Sequence, residues 1–250
     1  MPTFSQHPNQ KRVKLLLVGD PGAGKTGLLA TLANSDYKVR IVDLDNNLAI
    51  LSAYLQKGKA DNISYYSIPT KDPESWKKSI AITTQWKLPD EDLGDLTTWD
   101  SNTVLVVDSA TFWNDTCMAT VLKENNVADD KAGFDQSLWG VMSKRFENQV
   151  ARLTSDRYKF HLIFISHIRM IENKKTGGVM RAFPSFLGQQ LPNVVARYMN
   201  NVWLATRKDG KPVLHTQTTR DMGYLKCSAP HKVAAEAPFD LGAVFKQIEN

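Results

Sequence analysis

Residues 19–26, GDPGAGKT, place three glycines, a lysine and a hydroxyl at the spacing G-x-x-x-x-G-K-[ST]. Glycines let a backbone turn tightly enough to aim several N–H groups at one anion, and a helix starting there adds the positive end of its dipole. Gly19, Gly22 and Gly24 would form such a cradle for a β-phosphate, with Asp20, Pro21, Ala23 and Gly27 completing the binding stretch. Lys25 would reach the β- and γ-phosphates, and the Thr26 hydroxyl would ligate Mg²⁺. The chemistry this implies is the binding of a nucleoside triphosphate, with ATP and Mg²⁺ as the expected cofactors.

A magnesium ion held by one hydroxyl and phosphate oxygens needs a carboxylate nearby. The apolar run VLVVDS, 104–109, ends in one. Asp108 is therefore the expected second protein group at the metal, with Ser109 bonding around it. The competing reading is that Asp108 and Ser109 merely cap a following helix.

These residues must be held by elements of the right kind. VKLLLV, 13–18, is a short, continuous apolar run entering the glycine turn, as a parallel strand buried on both faces would be. A helix is expected from the turn to Ala33. Strands are expected at 39–42, 63–68, 104–107, 161–166, 202–206 and 212–216. Further helices are expected at 47–55, 73–86, 134–155, 191–199 and 241–248. The acidic stretch 87–102 (KLPDEDLGDLTTWDSN) reads as a surface excursion. Strands alternating with helices predict an α/β fold with a mainly parallel sheet flanked by helices, extended by an antiparallel pair near the C-terminus. Residues 1–12 lack an apolar period and read as a flexible arm or docking peptide. Residues 13–250 read as one domain.

Composition narrows the function classes. The chain has 250 residues, 42% hydrophobic and 23% charged, enough for one substantial core. No apolar stretch approaches the roughly 20 residues of a membrane span, and the polar start MPTFSQHPNQKR has no signal-peptide core, so a cytoplasmic protein is expected. Cys117 and Cys227 are isolated, which suggests neither zinc nor a disulfide framework. The formal charge of +5 is modest. Its clusters, Lys144, Arg145, Arg152, Arg157 and Lys159, then Arg169, Lys174, Lys175 and Arg181, are either solvated faces or polyanion contacts.

Three segments together, IVDLDNN (41–47), VVDS (106–109) and FISHIRM (164–170), resemble the RecA-like P-loop ATPases. The resemblance runs from about Val13 to Ser228 and is nearest to the compact phage-type members associated with single-strand annealing and recombination. It implies a RecA-like core in which a carboxylate after the second strand orients the attacking water. Asp43 and Asp45 both stand there, and the spacing favours Asp45. It also implies a γ-phosphate sensor at His167, which without the family would read as an interior hydrogen-bonded histidine. The segment 171–186, IENKKTGGVMRAFPSF, would then be a mobile loop in which Lys174, Lys175 and Arg181 hold single-stranded DNA. A lid with solvated charges is the alternative. Members of this family are completed across a subunit interface, so a homo-oligomer is expected, with Arg220 and Lys226 as trans-acting candidates or plain surface charges. A single-strand DNA-binding protein is a further expected partner, and a membrane is not.

Two departures stand out. Asp45 replaces the family's longer glutamate, and bacterial RecA's N-terminal oligomerisation helix and C-terminal DNA-binding domain have no counterpart in these residues. Two other functions fit the same motif: a nucleotide switch or loader that does not hydrolyse, and a P-loop kinase with its acceptor pocket after the third strand.

Overall fold

The computed structural model describes residues 11–70, 72, 74–128, 136–172, 180–188, 190–218 and 223–250. β1 (Lys14–Gly19) enters α1 (Lys25–Asn34), followed by β2 (Lys38–Asp43), β3 (Ile63–Ser67) and α2 (Ser75–Ile82). A hairpin of β4 (Gln85–Lys87) and β5 (Asp92–Asp95) precedes β6 (Thr103–Asp108), α3 (Ala110–Glu124) and α4 (Gln136–Thr154). β7 (His161–Ser166) leads into a second hairpin, β8 (Ile168–Glu172) and β9 (Met180–Pro184). The chain finishes with α5 (Leu191–Tyr198), β10 (Asn201–Lys208), β11 (Lys211–His215), β12 (Glu236–Ala237) and α6 (Leu241–Glu249).

One sheet of eight strands, ordered β12-β11-β10-β1-β7-β6-β2-β3, carries the core. The six strands from β10 to β3 are parallel, and β11 and β12 add the antiparallel extension. Alternate side chains of β1 serve opposite layers. Leu16 and Val18 face a cluster containing Trp76, Trp113, Phe146 and Phe164, whereas Leu15 and Leu17 face the apolar sides of α1 and α6. Such two-sided burial makes the strand runs continuously apolar.

Several expected elements changed. The helix expected at 47–55 is a 3-10 turn, Leu48–Ala53, in which Leu51 is the only buried residue. The helix expected to reach Trp86 ends at Ile82, where the hydroxyls of Thr83 and Thr84 turn back onto the carbonyls of Ser79 and Ile80. Trp86 instead sits on β4, packs 5.8 Å from Trp99, and donates to Glu91 Oε2 at 2.7 Å. The stretch 87–102 is therefore no surface excursion, because Leu96 and Trp99 anchor it in the core.

α3 was not among the expected helices and entered only as the helix that Asp108 and Ser109 would cap. Its buried positions mix Trp113, Cys117, Val121 and Leu122 with Asn114, Thr116 and Thr120, so no helical apolar period shows. The buried polar groups are satisfied: Asn114 Oδ1 accepts the Leu187 N–H, and the Thr116 and Thr120 hydroxyls donate to the carbonyls of Trp113 and Thr116.

Arg12 also departs from the expected arm. It is buried, and its guanidinium donates to the carbonyls of Leu153, Ser155 and Phe160, each at 2.7 Å, closing the end of α4. Residues 1–10 of that arm lie outside the described residues.

Candidate nucleotide-binding site

β1 delivers the chain to residues 19–26 at the carboxyl edge of the sheet, where ligands of open α/β folds bind. Gly24 precedes α1 with φ +88, a left-handed conformation that a side chain would strain, and no side chain caps the helix. The first N–H groups of α1 consequently remain available for an anion. The Lys25 ammonium is buried beside them and donates to the carbonyls of Gly19 at 2.7 Å and Asp20 at 2.9 Å. Burial lowers its pKa, and Asp108, Asp45 and Asp20 oppose that shift.

Thr26 and Asp108 meet directly. The Thr26 hydroxyl donates to Asp108 Oδ2 at 2.8 Å, which joins the first turn of α1 to the end of β6. Asp108 Oδ1 is buried without a hydrogen-bond partner among the described residues. Ser109 does cap α3, its hydroxyl accepting from Phe112, so the helix is capped by the serine and Asp108 is left for other work. An orphaned carboxylate oxygen beside a threonine hydroxyl fits a hard divalent cation. Among the described residues no group of three or more His, Cys, Asp and Glu could hold a metal alone. The remaining ligands would be phosphate and water oxygens, as Mg²⁺ prefers.

Strand order sets the third side of the site. β7 lies between β1 and β6, so its end falls between the phosphate loop and Asp108. A family model described as an AAA domain matches residues 11–222. The chain belongs to this AAA family. No curated protein matches the sequence.

The chain is thus an AAA-type P-loop ATPase domain, and its nucleotide cleft holds about 310 Å³. Lys25, Thr26, Asp45, Tyr54, His167 and Arg207 all line that cleft. Asp43 and Asp45 are separated by their partners. Asp43 is buried, with its two oxygens accepting from Asn46 N–H and the Ser67 hydroxyl, both at 2.8 Å. Asp45 is partly open, and its Oδ2 lies 3.6 Å from His167 Nε2, too far for a hydrogen bond. Among the described residues neither ring nitrogen of His167 has a hydrogen-bond partner, while its backbone N–H donates to Thr111 Oγ1 at 3.1 Å.

Four lining residues, Asn47, Ile50, Tyr54 and Arg207, escaped the sequence reading. Arg207, at the end of β10, donates to the Gly22 carbonyl at 2.8 Å and to the Gly210 carbonyl at 3.1 Å. A cation just past the apolar run 202–206 was its only signal. The Tyr54 ring covers Gly27, where an added Cβ would lie 2.8 Å from it. No local pattern marks Tyr54.

Lys226 pairs with Val202 at the opposite end of β10, and its ammonium donates to the Met199 carbonyl after α5 at 2.7 Å. That bond closes a helix end within the chain. Lys174, Lys175 and Arg220 lie outside the described residues, as does the side chain of Arg181. Part of the segment expected to be a mobile loop is the paired hairpin β8–β9, which includes the backbone of Arg181. Among the described residues no helix is long and apolar enough to cross a membrane.

Asp108 gives the site a measurable pH signature. Burial pushes its carboxyl up to about 7, with Asp45 and Asp43 adding to the rise and the Thr26 bond and Lys25 opposing it. The unfolded carboxyl titrates at 3.8. The stabilising contribution of the neutral form is complete below that value and is lost as pH rises through about 7. Nucleotide-free protein is expected to lose on the order of a few kcal/mol across that window, and Asp108→Asn should flatten the slope. Urea midpoints at pH 5 and pH 7.5 check this. Parallel losses in parent and variant would assign the slope to other groups.

Proposed function

We propose that this protein hydrolyses ATP, with Asp45 orienting the attacking water and His167 contacting the γ-phosphate. What carries the reading is the pairing of Asp45 and His167 across 3.6 Å on the wall of the cleft that Lys25 and Thr26 floor. Water attacks the γ-phosphorus, the bond to the β–γ bridging oxygen breaks, and ADP and inorganic phosphate leave. The water's proton passes towards the Asp45 carboxylate or solvent. Lys25 neutralises charge on the transferring group, and the α1 N–H groups hold the β-phosphate. Mg²⁺, held by Thr26 and Asp108, would add charge neutralisation at the phosphates. Tyr54 supplies an aromatic face for the base, and Arg207 holds the phosphate loop in shape.

The RecA-like reading goes further, to an ATPase that binds single-stranded DNA, promotes annealing and works as a homo-oligomer. Its support is that β8 begins one residue after His167, so a ligand on the hairpin would be linked to the nucleotide state. The kinase alternative draws support from a second cavity of about 500 Å³, which shares Asp45 and is lined by Ser67 and Thr70 at and after the end of β3 and by Phe112 of α3. Phosphate release from Mg·ATP, measured with and without single-stranded DNA, separates the readings. Release without DNA is expected, and DNA should accelerate it. No release under either condition would leave a switch or a kinase, and an unchanged rate with DNA would remove the annealing role.

A further inference from the structure

His167 lies where the sheet no longer holds the chain. β7 pairs with β1 as far as Val18 and Ser166 and with β6 as far as Val107 and Phe164, so residue 167 is the first beyond the ladder. Its ring has no hydrogen bond of its own among the described residues, and its neighbours are Asp45 at 3.6 Å and the Phe112 ring, edge-on at 5.6 Å. The direction of the imidazole is therefore set by whatever holds the main chain. Two hydroxyls do so. The His167 N–H donates to Thr111 Oγ1 at 3.1 Å, and the Ser166 hydroxyl donates to the His167 carbonyl at 2.9 Å. Thr111 Oγ1 and Ser166 Oγ lie 3.2 Å apart. A serine has one hydroxyl proton, and that of Ser166 is on the carbonyl, so Thr111 is the donor in this contact. Each hydroxyl then both accepts and donates, and the three bonds close a ring around both polar groups of the His167 main chain. The same carbonyl also accepts the Ser185 N–H at 2.8 Å, at the base of the β8–β9 hairpin.

We propose that Thr111 is a positioning residue which, together with Ser166, clamps the His167 main chain and so holds the imidazole towards the γ-phosphate. Thr111 stands in the first turn of α3, two residues past Ser109, which caps that helix directly after Asp108. The clamp thus ties His167 to the segment that carries Asp108, instead of leaving it to the freedom of a chain that has left the sheet. Neither Thr111 nor Ser166 lines the nucleotide cleft, so both act through the place they give the ring. Ser166 is fully buried, and solvent cannot replace a partner it loses. The inference rests on the proposed γ-phosphate role of His167.

Full-length protein carrying Thr111→Val, Thr111→Ser, Ser166→Ala or His167→Ala, and the double variant Thr111→Val/His167→Ala, separates the clamp from the sensor. Amide hydrogen exchange at residue 167, recorded without nucleotide, reads the clamp alone. Thr111→Val leaves the N–H without its acceptor and is expected to speed that exchange at least about fivefold, and to lower kcat about tenfold with KM for ATP within about twofold. Thr111→Ser keeps the hydroxyl and should stay within about twofold of the parent on both counts. In the His167→Ala background, Thr111→Val should lower turnover no further, because the ring it positions is gone. Unchanged exchange in Thr111→Val overturns the proposal, and so does an equal loss of kcat with and without the His167 side chain. Accelerated exchange beside full turnover in His167→Ala upholds the clamp and overturns the sensor role beneath it. Should Thr111→Val lose its thermal transition, Ser166→Ala, which opens the same ring at its other hydroxyl, is held to the same two criteria.

Discussion

Lys25→Ala should reduce phosphate release from Mg·ATP by at least about 10²- to 10³-fold, the effect of removing one preorganised charge from a developing phosphoryl transition state. The side chain is buried at the start of α1, between the phosphate loop and Asp108. Arg207 is the other cation lining the cleft among the described residues, and its guanidinium is turned onto the carbonyls of Gly22 and Gly210. No neighbouring amine can take over the charge. Lys25 also ties the Gly19 and Asp20 carbonyls, so part of any loss could come from a loosened loop. Lys25→Met separates the two causes, because it keeps the aliphatic stem and removes only the ammonium. Both variants should fold with similar thermal midpoints and should bind ADP far better than they turn over ATP. Turnover within a few-fold of the parent in either folded variant would end the claim that this loop performs phosphoryl chemistry.

The parts of this site that were legible in the sequence are those whose chemistry is local. Eight consecutive residues specify the phosphate loop, and a continuous apolar run specifies each buried strand. The end of β6 was legible for the same reason, since an acid closing such a run stands at the carboxyl edge of the sheet. What failed depended on partners far away. α3 disappeared because Asn114, Thr116 and Thr120 are buried on its apolar side and bonded internally, which no period analysis can foresee. Trp86 left its expected helix for a hairpin because Trp99, thirteen residues on, gave it a better packing surface. Lys226, expected as a trans-acting candidate or a plain surface charge, pairs with Val202 and donates to the Met199 carbonyl, partners that its own segment does not announce. The same distance-dependence explains why Arg207 and Tyr54 were missed: each reaches the cleft from an element whose own sequence says nothing about phosphate.

Asp45→Asn should lower kcat by about 10²- to 10³-fold and leave the affinity for ATP within a few-fold, because orienting water matters in the transition state and hardly in the ground state. The choice between Asp43 and Asp45 makes this prediction sharp. Asp43 holds Asn46 N–H and the Ser67 hydroxyl, so it fixes the turn after β2 and the edge of β3. Asp43→Asn exchanges one acceptor for a donor facing a donor, and its expected effect is a lower thermal midpoint. Asp45 has no such bond among the described residues, faces the cleft, and meets His167 at 3.6 Å, a gap that a water or a phosphate oxygen can enter from the cleft side. Being one methylene shorter than glutamate, it holds the water further back, and Asp45→Glu should therefore retain turnover or raise it. Single-turnover phosphate release and ADP binding for the three variants distinguish the roles. If Asp43→Asn loses turnover at an unchanged thermal midpoint while Asp45→Asn keeps it, the water is held one residue pair earlier and the Asp45–His167 pairing is not catalytic.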